Sequence, residues 1–150
     1  MSELLAGVTL KTGEGTELDA GEHLKGKVVG LYFSASWCPP CRAFTPKLKH
    51  FVEEIRKKHP EFEVIFVSRD RTAEDLVEYF TEHMGDWTYI PFGNDKITEL
   101  MIKYELKTIP TMKVVKSNGD VIVQDARKEI QDKGDEPETL WAEWIEKSQL

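Results

Sequence analysis

The feature that most constrains this chain is a pair of cysteines between an apolar block and an amphipathic segment. The block Val28–Ser34 is rich in β-branched and aromatic residues, as is typical of a strand buried on both faces. After Cys38 and Cys41, apolar residues recur every three or four positions until Pro60 interrupts the run, which predicts an amphipathic helix. The local prediction is therefore a strand, a turn that carries both sulfurs, and a helix.

Strand and helix patterns continue to alternate after this unit. Residues 64–67 predict a second buried strand, and Thr72 opens a helix that is expected to turn Leu76, Val77 and Phe80 inward. Parallel strands need a long crossover connection, usually a helix, between them. The alternation therefore predicts a parallel sheet covered by helices.

The remainder of the chain predicts a hairpin and two further helices. The later predicted elements are a loop at 85–93, a short helix at 94–104, strands at 112–115 and Val121–Val123 around the turn Ser117-Asn118-Gly119-Asp120, a polar surface loop at 128–138, and a helix at 137–147. The expected fold class is α/β, with one mixed sheet flanked by helices in three layers. Residues 1–150 are expected to form a single domain.

Charge and hydropathy argue against two classes of partner. The formal net charge of −7 disfavours nucleic acid and anionic lipid. The apolar stretches are far shorter than the roughly 20 residues that a membrane helix needs, and residues 1–12 lack the apolar centre of a signal peptide. We expect no nucleic-acid or membrane partner, and a cytoplasmic location with the nucleus as a second option.

The placement of the cysteines favours redox chemistry with a separate role for each sulfur. At the start of a helix, unpaired amides and the helix dipole favour negative charge, so Cys38 is predicted to be the attacking thiolate. Cys41 lies one turn along the helix, on its buried side, and is predicted to resolve a mixed disulfide. Pro39 and Pro40 stiffen the turn without donating an N–H, so we expect them to tune the redox poise.

Three other interpretations of the pair fit less well. A structural disulfide between residues three apart would restrain the unfolded chain little, because its stabilisation grows with the closed loop. A structural zinc site needs four ligands, and the four histidines have no ligand-like spacing, so no metal is expected. Two inert buried cysteines are the third interpretation. The strand, turn and helix setting favours the redox interpretation, which needs no bound cofactor.

The cysteine motif and its surroundings match a known family pattern. The run Tyr-Phe-Ser-Ala-Ser-Trp-Cys-Pro-Pro-Cys-Arg at 32–42, followed by Phe44-Thr45-Pro46, closely resembles the tryparedoxin and nucleoredoxin branch of the thioredoxin superfamily. The resemblance continues through residues 62–67, Trp87 with Pro91-Phe92, and Ile109-Pro110-Thr111, and covers nearly all of residues 25–145. It implies that the three-layer sandwich is thioredoxin-like.

The resemblance implies further site residues. In that family the proline at the position of Pro110 is cis beside the cysteines, and the backbone before it pairs with substrate, which implies substrate-binding roles for Ile109 and Pro110. An ordinary trans proline at a strand start is the alternative. Trp37 resembles the tryptophan that forms an apolar contact surface beside the nucleophile, with core packing as its alternative. Arg42 either favours the thiolate by its charge or is a solvated side chain.

One position departs from thioredoxin itself. The buried acid that thioredoxin has six residues before the first cysteine is replaced here by Tyr32. A general base for Cys41 must then be water or another group, and Asp70, which follows the second core strand, is a weak candidate.

The expected function is reduction of disulfides in oxidised protein substrates by a monomer, with a reducing thiol or a reductase as electron donor. A redox-sensitive binding module, as nucleoredoxin-like domains are said to be, is the alternative. A thiol peroxidase fits less well, because peroxidases of the superfamily have Pro and Thr where this chain has Leu31 and Ala35.

Overall fold

A seven-stranded mixed sheet is the centre of the computed structural model, which describes residues 4–116 and 118–148. In chain order the elements are β1 (Thr9–Lys11), β2 (Glu17–Asp19), α1 (Ala20–His23), β3 (Val28–Ser34), α2 (Pro39–Arg56), β4 (Phe62–Ser68), α3 (Ala73–His83), β5 (Thr88–Tyr89), α4 (Asp95–Lys103), β6 (Thr111–Val115), β7 (Val121–Val123), α5 (Ala126–Lys133) and α6 (Pro137–Ser148). Across the sheet the strand order is β2-β1-β5-β4-β3-β6-β7. The expected α/β class is confirmed.

The central strands are parallel and the outer pairs are antiparallel. Strand β3 runs parallel to β4 and antiparallel to β6, while β4 runs parallel to β5. Strands β6 and β7 form the predicted antiparallel pair at one edge. Every residue of β4 and nearly every residue of β3 is buried, and the sequences of both strands are accordingly nearly continuous runs of apolar residues. The carboxyl end of β3 leads directly to the cysteines.

Helices cover both faces of the sheet. Alternate residues of a strand point to opposite faces, so Tyr32 and Phe66 pack against the side that carries α2, whereas Leu31, Phe33 and Ile65 pack against the other. The first side also receives the buried residues of α3, α5 and α6, and the second receives Leu100 of α4. Two apolar cores therefore hold β3, and with it the cysteine turn, in place.

The structure corrects three details of the predicted elements. The predicted loop at 85–93 contains β5, which has only two residues and forms by pairing with β4 and with Lys11 rather than from its own pattern. The predicted loop at 128–138 overlaps α5, whose two buried residues, Ala126 and Ile130, are too few to give a helical pattern. Val77 was expected to face inward but is 42% exposed.

Two further observations complete the fold. Ser117 of the predicted turn lies outside the described residues, while Gly119 has the positive φ of 93° that favours glycine. Among the described helices, none has the length and apolar character to cross a membrane.

Candidate active site

Helix α2 begins at the first cysteine. Cys38 is the N-cap residue, and Pro39 and Pro40 occupy the first helical positions, where a missing N–H costs nothing. The amide of Cys41 donates to Cys38 Sγ over 3.3 Å. The two sulfurs lie at disulfide distance, with the Cα atoms 5.2 Å apart. The sequence therefore places both sulfurs at the electropositive end of a helix, as predicted.

The two cysteines differ in their access to solvent. Cys41 is fully buried, whereas Cys38 retains 5% exposure at the surface of the turn. Ala35 and Ile109 pack against the pair, and Cys38 Sγ lies 3.8 Å from the carbonyl oxygen of Ile109. The peptide bond between Ile109 and Pro110 is cis, as the resemblance implied. The structure thus brings the cysteine turn and the loop before β6 together, although 71 residues separate Cys38 from Ile109.

Trp37 lies on the surface beside Cys38. Its side chain is 47% exposed, which excludes core packing as its role. The indole Nε1 donates to the carbonyl of Arg69 over 3.1 Å, and the guanidinium of Arg71 lies 5.3 Å from the ring centroid. The loop between β4 and α3 therefore fixes the orientation of an exposed apolar surface next to the sulfur. Pro39 and Pro40 are exposed on the same turn.

Asp70 fixes the backbone that leads to the cysteines. One carboxylate oxygen accepts from the amide of Ser36 over 2.8 Å and from its hydroxyl over 2.5 Å. The other accepts from the hydroxyl of Ser68 over 2.7 Å. Asp70 was considered above as a weak candidate base for Cys41. Its hydrogen bonds make it a residue that positions the Ser36–Cys38 turn.

Replacing Asp70 by alanine is expected to lower the free energy of unfolding by about 1–3 kcal/mol, because the amide of Ser36 loses its acceptor. Asp70→Asn retains one carbonyl acceptor, so its free energy of unfolding should fall by less. Urea unfolding measures both changes. Asp132→Ala, at an exposed position of α5, is the control and should change stability by less than about 0.5 kcal/mol. Equal stability of Asp70→Ala and the wild type would contradict this role.

A cluster of buried hydroxyl groups lies beneath Cys41. Thr45 Oγ1 donates to the carbonyl of Cys41 over 2.9 Å and lies 2.7 Å from the hydroxyls of both Tyr32 and Tyr79. The hydroxyl of Ser34 lies 3.0 Å from that of Tyr79. All of these groups are neutral, and Tyr32 is at the sequence position at which the resemblance to thioredoxin implies a buried acid. This role of Thr45 and Tyr79 was not predicted from the sequence, although Thr45 follows Cys41 by four residues and so shares its helix face.

Burial raises the pKa of Tyr32 above its ordinary value, and the nearby charge of Tyr79 adds to the rise. An unfolded tyrosine ionises near pH 10, so above that pH the unfolded state releases a proton that the folded state keeps. With respect to ionisation of Tyr32, the folded state has its full stability below the unfolded pKa. This stability is lost as the pH rises toward the folded pKa. Above pH 10, the free energy of unfolding should therefore fall more steeply in the wild type than in Tyr32→Phe. The difference should be up to about 1.4 kcal/mol per pH unit.

Urea unfolding at several alkaline pH values measures this difference in slope. Thr45→Val is the matched control, since it removes a partner of Tyr32 but leaves the phenol buried. It should keep the wild-type slope. The same slope in Tyr32→Phe and the wild type would show that Tyr32 does not carry the effect.

Arg42 folds back over the turn that precedes it. Its Nη1 donates to the carbonyl of Ser36 over 3.1 Å, and its Nη2 lies 3.1 Å from Nε2 of His83. The guanidinium carbon lies 5.8 Å from the centroid of the Tyr79 ring. Arg42 is therefore an anchored side chain rather than a freely solvated one. Its partner His83 carries no sequence signal, because 41 residues separate the two.

No group of three or more His, Cys, Asp or Glu side chains within residues 4–116 and 118–148 is arranged to hold a metal ion.

Comparison with known proteins places this site in a family. A family model described as thioredoxin-like matches residues 26–121. The crystal structure of thioredoxin from Wuchereria bancrofti is similar with a TM-score of 0.83 and 46% identity, over 95% of this chain and 97% of that one. A structure of tryparedoxin II complexed with glutathionylspermidine has a TM-score of 0.77 and 35% identity, over 85% of this chain and 88% of that one.

Among curated proteins, nucleoredoxin from Mus musculus is 37% identical over 140 residues, which are 93% of this chain and 31% of that protein. The chain thus spans less than a third of the length of the nucleoredoxins it matches. The Cys38–Cys41 pair lies at the start of α2 with the cis peptide beside it, within the fold that these matches share. The chain therefore belongs to the tryparedoxin and nucleoredoxin branch of the thioredoxin family.

Proposed function

We propose that this chain is a dithiol–disulfide reductase in which Cys38 attacks and Cys41 resolves. The observation that carries the proposal is the asymmetry of the pair. Cys38 caps the helix at the edge of the surface and accepts a hydrogen bond from an amide, whereas Cys41 is fully buried behind it. A thiolate at a helix start is stabilised by the dipole and by backbone donors, so the accessible sulfur is the better nucleophile.

The reaction proceeds through a mixed disulfide. The Cys38 thiolate attacks one sulfur of a substrate disulfide, a bond forms between those two sulfurs, and the other substrate sulfur leaves as a thiolate. Cys41, after losing its proton, attacks Cys38 Sγ, which releases the second substrate sulfur and forms the Cys38–Cys41 disulfide. Two electrons pass from the protein to the substrate. Two molecules of a reducing thiol, or a reductase, then return two electrons and the proton that Cys41 lost, which restores the Cys38 thiolate and the Cys41 thiol.

The surface around Cys38 supports binding of an extended substrate segment. Trp37 supplies an exposed apolar face next to Cys38 in the chain, and Ile109, which precedes the cis Pro110, packs against the cysteine pair. The carbonyl of Ile109 points toward Cys38 Sγ, where a substrate backbone amide would find an acceptor. Pro39 and Pro40 hold the turn between the sulfurs, and Arg42 anchors it from the helix side.

The proposed substrates are oxidised proteins, and the proposed donor is a low-molecular-weight thiol or a reductase. The similarity to a tryparedoxin that binds glutathionylspermidine supports a glutathione-type thiol as donor. A monomeric state and a cytoplasmic location stay predictions.

Insulin reduction by the protein, with a glutathione-type thiol as reductant, tests the proposal. We expect reduction that exceeds the rate of the thiol alone and saturates with insulin. Equilibration with glutathione should give a potential of roughly −270 to −200 mV, the range of thioredoxins and glutaredoxins. A potential well above about −180 mV would instead place the protein among disulfide oxidases or isomerases.

A second candidate is a binding module whose partner is released on oxidation. Two exposed aromatic side chains favour it, since Trp37 is 47% and Phe92 is 46% exposed. Capture of partners by Cys41→Ser separates the two functions. Partners held by a mixed disulfide and released by reductant support turnover, whereas partners that stay bound after reduction support the binding module.

A further inference from the structure

A small cleft lies beside the cysteine turn and is not used by the proposed mechanism. It has a volume of about 140 Å³ and lies between the start of α2 and one face of α3. Arg42 reaches into it from α2, and His83 and Tyr79 reach into it from α3. Three carboxylates of α3 complete its charged lining, namely Asp75, Glu78 and Glu82. Ser36, two residues before Cys38, also lines the cleft.

The contact between Arg42 and His83 requires one protonation state. A guanidinium has only donors, so at 3.1 Å from Arg42 Nη2 the Nε2 atom of His83 must be the acceptor. The imidazole is then neutral and carries its proton on Nδ1. Protonation would convert Nε2 into a donor and bring two cations together. The contact is therefore compatible only with neutral His83.

Breaking this contact would affect the cysteine turn. Arg42 uses its other nitrogen, Nη1, to hold the carbonyl of Ser36, two residues before Cys38. The same Ser36 is held from the opposite side by Asp70, so its backbone is fixed between two charged groups. Without His83, the carboxylates of the cleft compete for the guanidinium, because Glu78, Glu82 and Asp75 line the same space. The Ser36 carbonyl would then lose its donor.

We propose that His83 is a positioning residue of the redox site, which acts through Arg42 and loosens the turn before Cys38 when it is protonated. The inference rests on the proposed reductase function, since the turn matters for turnover only if Cys38 attacks substrate. Protonation of His83 would therefore lower the rate of disulfide reduction, for a reason separate from protonation of the Cys38 thiolate.

The rate of insulin reduction by the reduced protein, measured from about pH 5.5 to pH 8, tests the role of His83. His83→Gln keeps an acceptor for Arg42 at every pH. The ratio of its rate to the wild-type rate should be near one at the alkaline end and rise about fivefold at the acidic end, as expected for one net hydrogen bond. Ionisation of Cys38 affects both proteins equally and cancels in the ratio.

Two further variants sharpen this experiment. His83→Lys is cationic throughout the range and should already be slow at the alkaline end. His50→Gln, at an exposed position of α2 outside the cleft, should give a ratio of one at every pH. A constant ratio for His83→Gln, or a His83→Lys protein as fast as the wild type, would overturn the proposal.

Backbone amide spectra of the oxidised protein give a readout that does not depend on activity. Neither sulfur titrates in the disulfide form, so shifts of the Trp37 and Cys38 amides across this pH range report the loosening of the turn. We expect these shifts in the wild type, and their loss in His83→Gln and in Arg42→Gln. The same shifts in all three proteins would exclude the Arg42–His83 contact as their cause. If the wild type reduces no insulin, the proposed function fails, and the amide shifts alone decide the role of His83.

Discussion

Replacing Cys38 by serine is expected to lower insulin reduction to the rate of the reducing thiol alone. A serine hydroxyl stays protonated at neutral pH and cannot form a mixed disulfide, so the first step of the reaction is lost. The change is nearly isosteric, and Cys38 keeps 5% exposure at the edge of the site, so the fold should be retained. Circular dichroism and the urea midpoint of reduced wild type and variant measure that retention.

Cys41→Ser is the matched control for this prediction. It retains the attacking sulfur and should react once with substrate, which gives a stable covalent complex that mass spectrometry detects and reductant dissolves. Cys38→Ser should give no such complex. Full activity of Cys38→Ser, or covalent complexes of equal yield from both variants, would contradict the assignment of the two roles.

Replacing Trp144 by alanine is expected to lower the free energy of unfolding by about 3–5 kcal/mol, the usual cost of truncating a buried aromatic side chain. The ring of Trp144 is fully buried and lies 5.5 Å from that of Phe51 and 6.0 Å from that of Phe62, measured between centroids. Its Nε1 donates to Glu129 over 3.0 Å. The side chain therefore joins α6 to α2, β4 and α5, and its loss would leave a cavity among them.

Urea unfolding of the oxidised proteins measures this loss. The free energy of unfolding of Trp144→Phe should fall by less, because phenylalanine fills most of the cavity. Some loss should remain, because phenylalanine lacks the donor for Glu129. Ile102→Ala is the control, since Ile102 is 72% exposed and its truncation should change stability by less than about 0.5 kcal/mol. A loss below about 1 kcal/mol in Trp144→Ala would show that α6 contributes little to the stability of the core.

Elements with a strong apolar pattern were predictable from the sequence. Strand β3 was predicted with the bounds that it has, and α3, α4 and α6 begin within two residues of their predicted starts. These elements bury enough of their own residues to show a period of two, a continuous apolar run, or a helical repeat. Local caps helped as well, because Thr72 and Asn94 accept hydrogen bonds from the first turns of α3 and α4.

Elements that depend on their neighbours were not predictable in this way. Strand β5 has two residues, and α5 buries only Ala126 and Ile130. Neither element therefore has enough buried residues to give a periodic apolar pattern in the sequence. Strands β1 and β2 have three residues each; they pair with one another, and β1 also pairs with β5. Their structure comes from backbone hydrogen bonds between strands and not from an apolar pattern of their own.

The sequence by itself determined the chemistry of the site and the place of its two sulfurs. Cys38 and Cys41 are three residues apart at a helix start, and that local geometry follows from the strand, the prolines and the helical repeat around them. Only the tertiary structure decided what surrounds the sulfurs. Three contacts between separate parts of the chain surround them. Ile109 lies beside Cys38, Thr45 contacts Tyr79 beneath Cys41, and His83 contacts Arg42. Such contacts depend on how the elements pack, and residue types in one segment do not specify the distances between them.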